Sequence, residues 1–439
     1  MFKKISIVAL IAALTPILAV AQQQRVLSLS EALQIAVQRN HSIRIAKNTA
    51  IISANNATAG NANLLPRVEA TGSFNRTNES FEATSTSPQF NPDTSGVITD
   101  VTSASISATY TLFDGFGNYY TFKSLQKLKE QSGIQARLQV EATLLEVIQF
   151  YLNSITAREA VRINESAIDR SLSRLDRVRK RFDVGSATRL DVLNAEVDLN
   201  TDSVAWIQAN TSFINAKRDL LVNLGMDPSE SIDIQEGVDL DLSLQLEELM
   251  SQAQSQNSSL VISKLLAENA EYSLKQTKAT RFPVISLNGA YNYTRTDGGA
   301  GLFTSTLSNG LTGGISIRLN LFNGRQQEIR IKNAQIELKN NKEDLEFTKK
   351  SLDRDVLNTY EQYKTNLFLL KKEALNLQTA NLNFTRTSEL FDLGQVSSTD
   401  FREAQLNILR VEERIVSLKV QAKTSEVLLF QLAGKLITE

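Results

Sequence analysis

The chain of 439 residues has no cysteine, one histidine, one tryptophan and three methionines. Without cysteine it has no disulfide framework and cannot carry a lipid on a cysteine. The histidine, His41, lies in a polar helical pattern that supplies neither triad nor metal partners, which is typical of a surface residue. GxSxG, Walker and dinucleotide-binding motifs are missing too. We therefore predict no catalytic residue, no cofactor and no metal site, and hence no enzyme.

Long apolar runs are equally rare. The one clear run follows the basic start MFKK and ends in the small residues Ala19-Val20-Ala21, a pattern typical of a secretory signal peptide. We expect residues 1–21 to be removed and the mature chain to begin near Gln22. Beyond Ala21 no run of about 18 apolar residues predicts a transmembrane helix. The net charge is −1, and no basic face with aromatic residues indicates nucleic-acid binding.

The chain does contain an internal sequence duplication. FDVGSATRLD at 182–191 returns as FDLGQVSSTD at 391–400, and the two glycines are 394 − 185 = 209 positions apart. TLFDG at 111–115 returns as NLFNG at 320–324 with the same offset, 324 − 115 = 209. Such self-similarity indicates repeated structural units. We predict a first repeat over 22–225, a connector over 226–245 and a second repeat over 246–439.

Each repeat reads as a helix, two strands, a very long helix, a turn and a further helix. In the first repeat we expect one helix over about 30–62 and a loop over 78–100, which is rich in Ser, Thr, Asn and Pro. The longest helix is predicted over 115–183, roughly 100 Å at 1.5 Å per residue, so we expect an elongated molecule. The connecting loops at 76–103 and 294–311 are expected to face outside the cell.

The predicted strands alternate apolar and polar residues over about ten positions, as outer-membrane strands do. Their apolar faces are Val68–Phe74, Ile106–Leu112, Ile285–Tyr293 and Ile315–Leu321, taken at every second residue. Alternation alone is equally consistent with half-buried strands of a soluble sheet. Four strands cannot close a barrel, and an open sheet edge cannot lie in lipid. If the strands are in a membrane, several protomers must share one barrel.

The long helices carry apolar residues at intervals of seven, which predicts coiled-coil packing. In the second repeat the series shifts by four after Leu352 and resumes at Val356, as a stutter does. The positions are Ile331, Leu338, Leu345, Leu352, Val356, Tyr363, Leu370, Leu377, Phe384 and Phe391, and in the first repeat Val161, Ile168, Leu175 and Phe182.

The repeated FDxG segments predict tight helical hairpins. The glycine can adopt the left-handed conformation that ends a helix. Thr188 or Ser186 can then cap the next helix, and Asp191 in its first turn is favoured by the helix dipole. In the second copy Asp400 and Glu403 have the spacing of a capping box.

Taken together, the duplication, LF[DN]G, the proline before each first strand and the FDxG turns resemble the TolC family of outer-membrane efflux proteins. The resemblance implies a homotrimer in outer-membrane lipid, in which twelve strands, four per chain, form one β-barrel. A long α-helical coiled-coil tunnel continues the barrel into the periplasm. It further implies a passive exit duct of a tripartite efflux pump or type I secretion system. Its partners would be a periplasmic membrane-fusion adaptor and an inner-membrane transporter of RND, ABC or MFS type.

The resemblance also assigns roles to residues. The residues that correspond to the family's adaptor-docking tips are Gly185, Ser186, Ala187, Gly394, Gln395 and Val396. The residues that correspond to the family's tunnel entrance and gate are Asp191, Phe391, Asp400 and Glu403. Phe391 and Val396 replace a tyrosine and an arginine that lock the gate in some members. We therefore expect Asp191 to meet Arg189 or Arg402, and the gate to close more by packing than by polar links.

Two other classes of protein stay open at this point. A soluble periplasmic coiled-coil adaptor or tether would also consist of long paired helices, but it would need a lipoyl-like or barrel domain that these strands do not supply. A periplasmic hydrolase on a helical scaffold would need the catalytic groups that are missing here.

Overall fold

A computed structural model describes residues 25–82, 93–235, 237–299 and 303–437. The predicted signal peptide and the expected mature start at Gln22 lie outside the described residues. The helices are α1 (Leu29–Arg39), α2 (His41–Asn56), α3 (Gly117–Asp183), α4 (Arg189–Asn223), α5 (Leu246–Gln256), α6 (Ser258–Ala279), α7 (Gln326–Asp392) and α8 (Ser398–Leu432). Among the residues described, no helix is both long and apolar enough to span a membrane.

The strands are β1 (Arg25–Leu27), β2 (Arg67–Glu82), β3 (Asp93–Phe113), β4 (Ile232–Ile234), β5 (Val284–Gly298) and β6 (Ser305–Arg318). The two repeats are built alike. Helices α3 and α7 have 67 residues each, and α4 and α8 have 35 each. The fold is therefore mainly α with a few strands, arranged as two tandem repeats.

Four strands form an antiparallel sheet in the order β2-β3-β5-β6. Its register pairs Ala70 with Ile106, Ile106 with Tyr291, and Tyr291 with Leu311. The predicted apolar positions thus share one face across all four strands. That face is exposed in the single chain, where Leu311 is 82% exposed. Contiguous apolar surface of this kind marks a site that a membrane or a partner covers.

The sheet extends further than predicted. Pairing continues past the expected loop boundaries to Glu82–Asp93 between β2 and β3, and to Asp297–Ser305 between β5 and β6. Arg76 binds Asp100 through two hydrogen bonds of 2.7 Å, so polar side chains here stabilise cross-strand pairs. The expected loops at 76–103 and 294–311 are therefore largely strand, apart from 83–92 and 300–302, which lie outside the described residues.

The first predicted helix, over 30–62, is in fact two helices. Asn40 interrupts it with an extended backbone, φ −61° and ψ 130°, and its side-chain oxygen accepts hydrogen bonds from the N–H groups of Ser42 and Ile43. This is the chemistry of an N-cap, which asparagine favours strongly. His41 follows as the first residue of α2 and is exposed.

Residues 25–35, 147–238 and 382–413 belong to one compact unit. In it β1 pairs in parallel with β4, which belongs to the predicted connector. Leu27 fixes this ladder, because its carbonyl accepts hydrogen bonds from the Tyr151 hydroxyl at 3.1 Å and from the Gln235 N–H at 3.0 Å. The same compact unit also contains a buried cluster made of Leu175, Val178, Val192, Ala195, Phe391 and Phe401.

Residues 36–146, 239–381 and 414–437 belong to a second compact unit. It contains the four-stranded sheet and a buried cluster of Leu249, Ala253, Leu352, Val356, Tyr363, Ala422, Leu429 and Ala433. The later part of the predicted connector packs against this cluster. The Asp241 N–H donates to the buried Glu426 carboxylate at 3.0 Å, and the Tyr363 hydroxyl donates to the Asp241 carbonyl.

The heptad prediction is confirmed for the second repeat, where the predicted positions on α7 are buried or half-buried. In the first repeat it is confirmed for Val161, Ile168 and Leu175, which are half-buried or buried, and wrong for Phe182. Phe182 is exposed, and the buried positions include Ile163, Ala167, Ser171, Arg174 and Val178. The seam of α3 therefore includes a serine and an arginine, which an apolar heptad search passes over.

Candidate docking and gating site

Both FDxG segments form the same helix-ending turn. Gly185 has φ +78° and Gly394 has φ +73°, the left-handed conformation that glycine adopts without steric cost. The N–H of Ser186 reaches back to the Arg181 carbonyl at 2.8 Å, and the N–H of Gln395 reaches the Leu390 carbonyl at 2.9 Å. These backward bonds satisfy carbonyls at the helix end. The predicted hairpins are thus present at both positions, and we call α3 with α4 the first hairpin and α7 with α8 the second.

A capping box starts the second helix of each hairpin. Thr188 pairs with Asp191: the Thr188 N–H donates to the carboxylate at 2.9 Å, and the Asp191 N–H donates to the Thr188 hydroxyl at 3.2 Å. Ser397 pairs with Asp400 at the same two distances. The expected box between Asp400 and Glu403 is therefore wrong, because Ser397 occupies the cap position and Asp400 is the acidic member.

The boxes also set the charge state of the two aspartates. The Thr188 hydroxyl and then its N–H stabilise the charged carboxylate and lower the pKa of Asp191. The Ser397 hydroxyl and then its N–H lower the pKa of Asp400 in the same way. Hydrogen bonds to the ionised form favour it, so both carboxylates carry their charge at neutral pH. Asp400 and Glu403 are exposed near the start of α8.

The turn residues divide into anchors and exposed positions. Ala187 and Val396 pack against the buried cluster around Phe391 and hold each turn in place. Gly185, Ser186, Gly394 and Gln395 are exposed. Val184 and Leu393, each just before its glycine, are 78% and 72% exposed. These two apolar side chains were not predicted as site residues, although both stand beside the turn glycine in the repeated motif.

Phe391 is buried between the hairpins. Its ring lies 5.1 Å from that of Phe401 and 40° from parallel, and both side chains are among the most buried in the chain. Neither ring is available to a hydrogen-bonding lock. The Phe391 side chain therefore contributes packing and no hydrogen bond.

Four arginines on α3 face the second hairpin at intervals of four, three and four residues: Arg170, Arg174, Arg177 and Arg181. Three of them lie over aromatic rings of α7 or α8, at 5.2 Å for Arg181 over Phe391 and for Arg177 over Phe401. Arg181 also donates to the Phe391 carbonyl at 3.0 Å. We call these four residues the arginine ladder. Their heptad spacing was visible in the sequence, but arginine is not counted in an apolar pattern.

A buried polar network continues the ladder away from the turns. Arg402 on α8 donates two hydrogen bonds of 2.7 Å to Asp202 on α4. Arg174, 2% exposed, pairs with Asp198 and donates to the Ser398 hydroxyl at 2.7 Å. Bidentate pairs between arginine and carboxylate are among the stronger hydrogen bonds in proteins.

This network overturns the expected partner of Asp191. Asp191 is held by Thr188, and Arg402 binds Asp202 and lies 3.6 Å from Asp198. Polar links and buried rings thus occur together between the hairpins of this chain.

The chain thus has two tandem repeats, each with a strand pair bearing one apolar face and with one long helical hairpin. The chain belongs to the outer membrane efflux protein family, whose pattern it matches over residues 32–226 and 249–435. Its class is thus that of outer-membrane proteins serving as exit ducts.

Curated relatives agree with this assignment. The chain is 22% identical over 385 residues to the outer membrane protein TolC of Vibrio cholerae, covering 86% of this chain and 84% of the relative. It is 20% identical to the Escherichia coli TolC over 339 residues, 74% of this chain and 68% of the relative.

Solved structures share the fold. The outer membrane protein VceC of Vibrio cholerae superposes with a TM-score of 0.75 at 15% identity, over 92% of this chain and 96% of the other. The outer membrane channel CmeC of Campylobacter jejuni gives 0.75 at 15% identity, over 93% and 86%.

Proposed function

We propose that three copies of the chain close one twelve-stranded barrel in the outer membrane, and that their helices form a periplasmic tunnel. The observation that carries this proposal is the sheet. In the described residues β2 pairs only with β3, and β6 only with β5, so two edges are open beside an exposed apolar face. Open edges are not tolerated in hydrocarbon. Edge pairing between copies satisfies these groups and leaves the apolar faces toward lipid.

Helix α4 supplies a second contact for another copy. Leu190, Val197 and Val204 stand seven residues apart and are more than half exposed, and Leu193, Ile207 and Ile214 follow the same face. An apolar heptad on an exposed helix face is the seam of a coiled coil. Its partner in this proposal is a helix of the neighbouring copy.

The protein acts in this proposal as a passive exit duct of a tripartite efflux pump or type I secretion system, and not as an enzyme. A periplasmic membrane-fusion adaptor docks on the turns at Gly185, Ser186, Ala187, Gly394, Gln395 and Val396. The exposed Val184 and Leu393 supply apolar surface for that contact. An inner-membrane transporter of RND, ABC or MFS type delivers the substrate.

The tunnel entrance in this proposal is formed by the starts of the second helices. Three copies of Asp400 and Glu403, exposed and three residues apart, form rings of negative charge that favour cations. Asp191 and Phe391 hold the hairpin ends, one as a helix cap and one as a buried ring. The repeats at 22–225 and 246–439 are joined by the connector at 226–245, which lies around the tunnel.

The mass of the detergent-extracted particle tests this proposal. We expect three chains per particle by light scattering corrected for bound detergent, recovered from the outer-membrane fraction and conducting ions in planar bilayers. A monomer or dimer released without detergent contradicts it and favours the soluble periplasmic adaptor or tether. A second test is Gly394→Glu, which should abolish crosslinking to the adaptor and leave trimers intact.

A further inference from the structure

We propose that the interface between the two repeats of one chain is repeated between copies, with one change of chemistry. The second repeat of one copy then meets the first repeat of the next copy through equivalent positions. The interface within a chain contains an ion pair, whereas the interface between copies is apolar at the same place, with Ile336 of α7 packed on Ile51 of α2 from the next copy. This inference rests on the proposed function and names the residue pairs that join the copies.

Equivalent residues of the two repeats differ by fixed offsets. Helices α2 and α6 begin 258 − 41 = 217 positions apart, and α3 and α7 begin 326 − 117 = 209 positions apart. The strand pair Ala70–Ile106 transfers by these offsets to Leu287–Ile315, which is indeed a pair between β5 and β6. The offset of 217 thus holds from α2 into β2, and the offset of 209 from β3 into α3. A contact can therefore be transferred from one repeat to the other residue by residue.

The LF[DN]G turns show that one of two equivalent contacts is missing in a single chain. Gly115 and Gly324 have φ +72° and +65°, so the two turns have the same conformation. Gly115 is buried against the end of α6, where an added Cβ would lie 2.6 Å from the Ala279 carbonyl oxygen. Gly324 is exposed, and an added Cβ there would meet nothing within 4 Å. The position equivalent to Ala279 is 279 − 217 = 62, so the missing neighbour is Ala62 of the next copy.

The open strand edges obey the same rule. Within the chain β3 pairs with β5, and the register places Ser107 opposite Ala290. Adding 209 to the first number and subtracting 217 from the second places Ser316 of β6 opposite Ser73 of β2 in the next copy. In the described residues β6 and β2 are the two edge strands of the sheet. Both serines lie on the polar faces of their strands, so the polar and apolar faces each continue from one copy to the next.

The helices next to the sheet are joined within the chain by polar contacts. Lys127 of α3 forms an ion pair of 2.8 Å with Glu268 of α6. One turn away the Ser124 hydroxyl donates to the Asn269 side-chain oxygen at 2.6 Å. Complementary charges of this kind contribute more to the choice of partner than to raw affinity. The pair therefore marks α3 and α6 as partners within one chain.

The equivalent positions on α7 and α2 are isoleucines. Lys127 transfers to 127 + 209 = 336, and Glu268 transfers to 268 − 217 = 51. Ile336 and Ile51 are 58% and 57% exposed in the single chain, and Ile52 beside them is 60% exposed. Large apolar side chains gathered where a contact is expected mark a surface that a partner covers. Their burial against each other is favoured by the hydrophobic effect, so the interface between copies needs no ion pair here.

The difference between the two interfaces specifies the order of the repeats around the assembly. If α3 packed on α2 of another copy, Lys127 would face Ile51 without a carboxylate. If α7 took the place of α3 beside α6, Glu268 would face Ile336 without a cation. Unpaired charges against an apolar partner disfavour the wrong pairing. Only the alternation of interfaces within and between copies satisfies both the charged and the apolar positions.

A charge exchange tests the helix interface. Ile336→Lys and Ile51→Glu place the residue types of the ion pair within the chain at the interface between copies. We expect each single variant to raise the ratio of dissociated to trimeric chains about tenfold at a fixed concentration of denaturing detergent, because a charge is buried against isoleucine. The double variant should recover most of this loss by forming the ion pair. The matched control is Ile336→Lys with Ile51→Lys, which should dissociate more readily than either single variant.

Disulfide formation tests the strand register, because the natural chain has no cysteine. Ser316→Cys with Ser73→Cys, oxidised in the purified trimer, should give denatured products with the mass of two and three chains. Ser107→Cys with Ala290→Cys is the equivalent pair within the chain and should keep the mass of one chain. Ser316→Cys with Thr71→Cys is displaced by two residues, roughly 7 Å along the strand, which is too far for a disulfide.

The outcomes separate this inference from the channel proposal. Trimers in which the displaced pair crosslinks and Ser316–Ser73 does not overturn the inference and leave the channel proposal intact. Trimers in which the charge exchange gives no recovery, with the double variant as weak as the same-sign control, overturn the assignment of Ile336 and Ile51. Chains that never form trimers overturn the channel proposal and this inference with it. Crosslinking at Ser316–Ser73 together with recovery in the charge exchange supports the repeated interface.

Discussion

Arg402 and Asp202 form a bidentate ion pair, with two N–O distances of 2.7 Å, between α8 of the second hairpin and α4 of the first. The pair lies 200 positions apart in sequence, and its side chains are 14% and 8% exposed. Ser171 completes the coordination of the Asp202 carboxylate from a third helix. The relationship is therefore a tertiary contact that neither repeat can form alone.

Removing one partner of this pair should destabilise the protein strongly. We expect Asp202→Asn to lower the free energy of unfolding by about 3 kcal/mol, because Arg402 keeps a largely buried charge with only the 3.6 Å ionic contact to Asp198 left. The double variant Asp202→Leu with Arg402→Met should recover most of the loss. Guanidinium unfolding of the detergent-solubilised protein measures both values, and equal loss in the single and double variants would contradict the explanation.

The capping boxes predict an acid-sensitive contribution to stability. The pKa values of Asp191 and Asp400 are lower in the folded state, so their contribution is fully present above the unfolded value of about 3.9 and is lost as pH falls through the folded values. Asp400→Asn should therefore be less stable than the natural chain at neutral pH and lose less on acidification. Unfolding midpoints measured from neutral pH to below about pH 4 check this. Asp183→Asn, an exposed carboxylate outside both boxes, is the control.

Substitution by alanine should lower stability unequally at the two turn glycines. Both have positive φ, which costs an alanine about 1–2 kcal/mol. A Cβ at Gly185 meets open space, whereas one at Gly394 lies 3.3 Å from the Arg181 guanidinium, which binds the Phe391 carbonyl. Gly394→Ala should thus lower the thermal midpoint more than Gly185→Ala. Equal shifts would mean that the guanidinium moves aside freely.

Neighbouring positions on β6 should separate the two faces of the sheet. Ile315→Lys places a charge on the apolar face, at a cost of about 2–4 kcal/mol if the site lies near the bilayer midplane. Ser316→Lys places the same charge on the polar face. We expect the first variant, and not the second, to be lost from the outer-membrane fraction. Loss of both, or of neither, would argue against a lipid-facing sheet.

The proposed acidic rings predict ion selectivity. Asp400→Asn with Glu403→Gln should move the reversal potential in a potassium chloride gradient toward zero, because fewer negative charges line the entrance. Asp191→Asn loses the equivalent cap in the first hairpin and is the control for capping alone. The same shift in both variants would assign the effect to the fold of the turns and not to the pore.

The repeats, the strand faces and the turns were predictable because each has a local signature. Period-two and period-seven patterns and a glycine after FDx are visible in short windows of sequence. The heptad of α7 was right for this reason. Near the end of α3 the same method missed Ser171 and Arg174, which are buried with polar partners on other helices.

The predicted ends of the helices and strands were wrong for a related reason. Ser397 precedes Asp400 by three residues, as Thr188 precedes Asp191, but the predicted box placed Asp400 first and Glu403 second. Residues 76–82 looked like a loop because most of them are polar, yet β3 pairs with them. A polar strand is recognised from the strand that pairs with it, and a short window of sequence does not include that second strand.

The ladder between β1 and β4 places a limit on the order of events during biogenesis. Residues 25–27 are made long before their partners, residues 232–234. Strand β1 must wait until residues 28–234 have been made. During that interval its backbone groups and the apolar Leu27 side chain are without their final partners, a state in which chains tend to associate wrongly. Pairing of β1 is thus a late step in maturation, although β1 is made well before the strand that it pairs with.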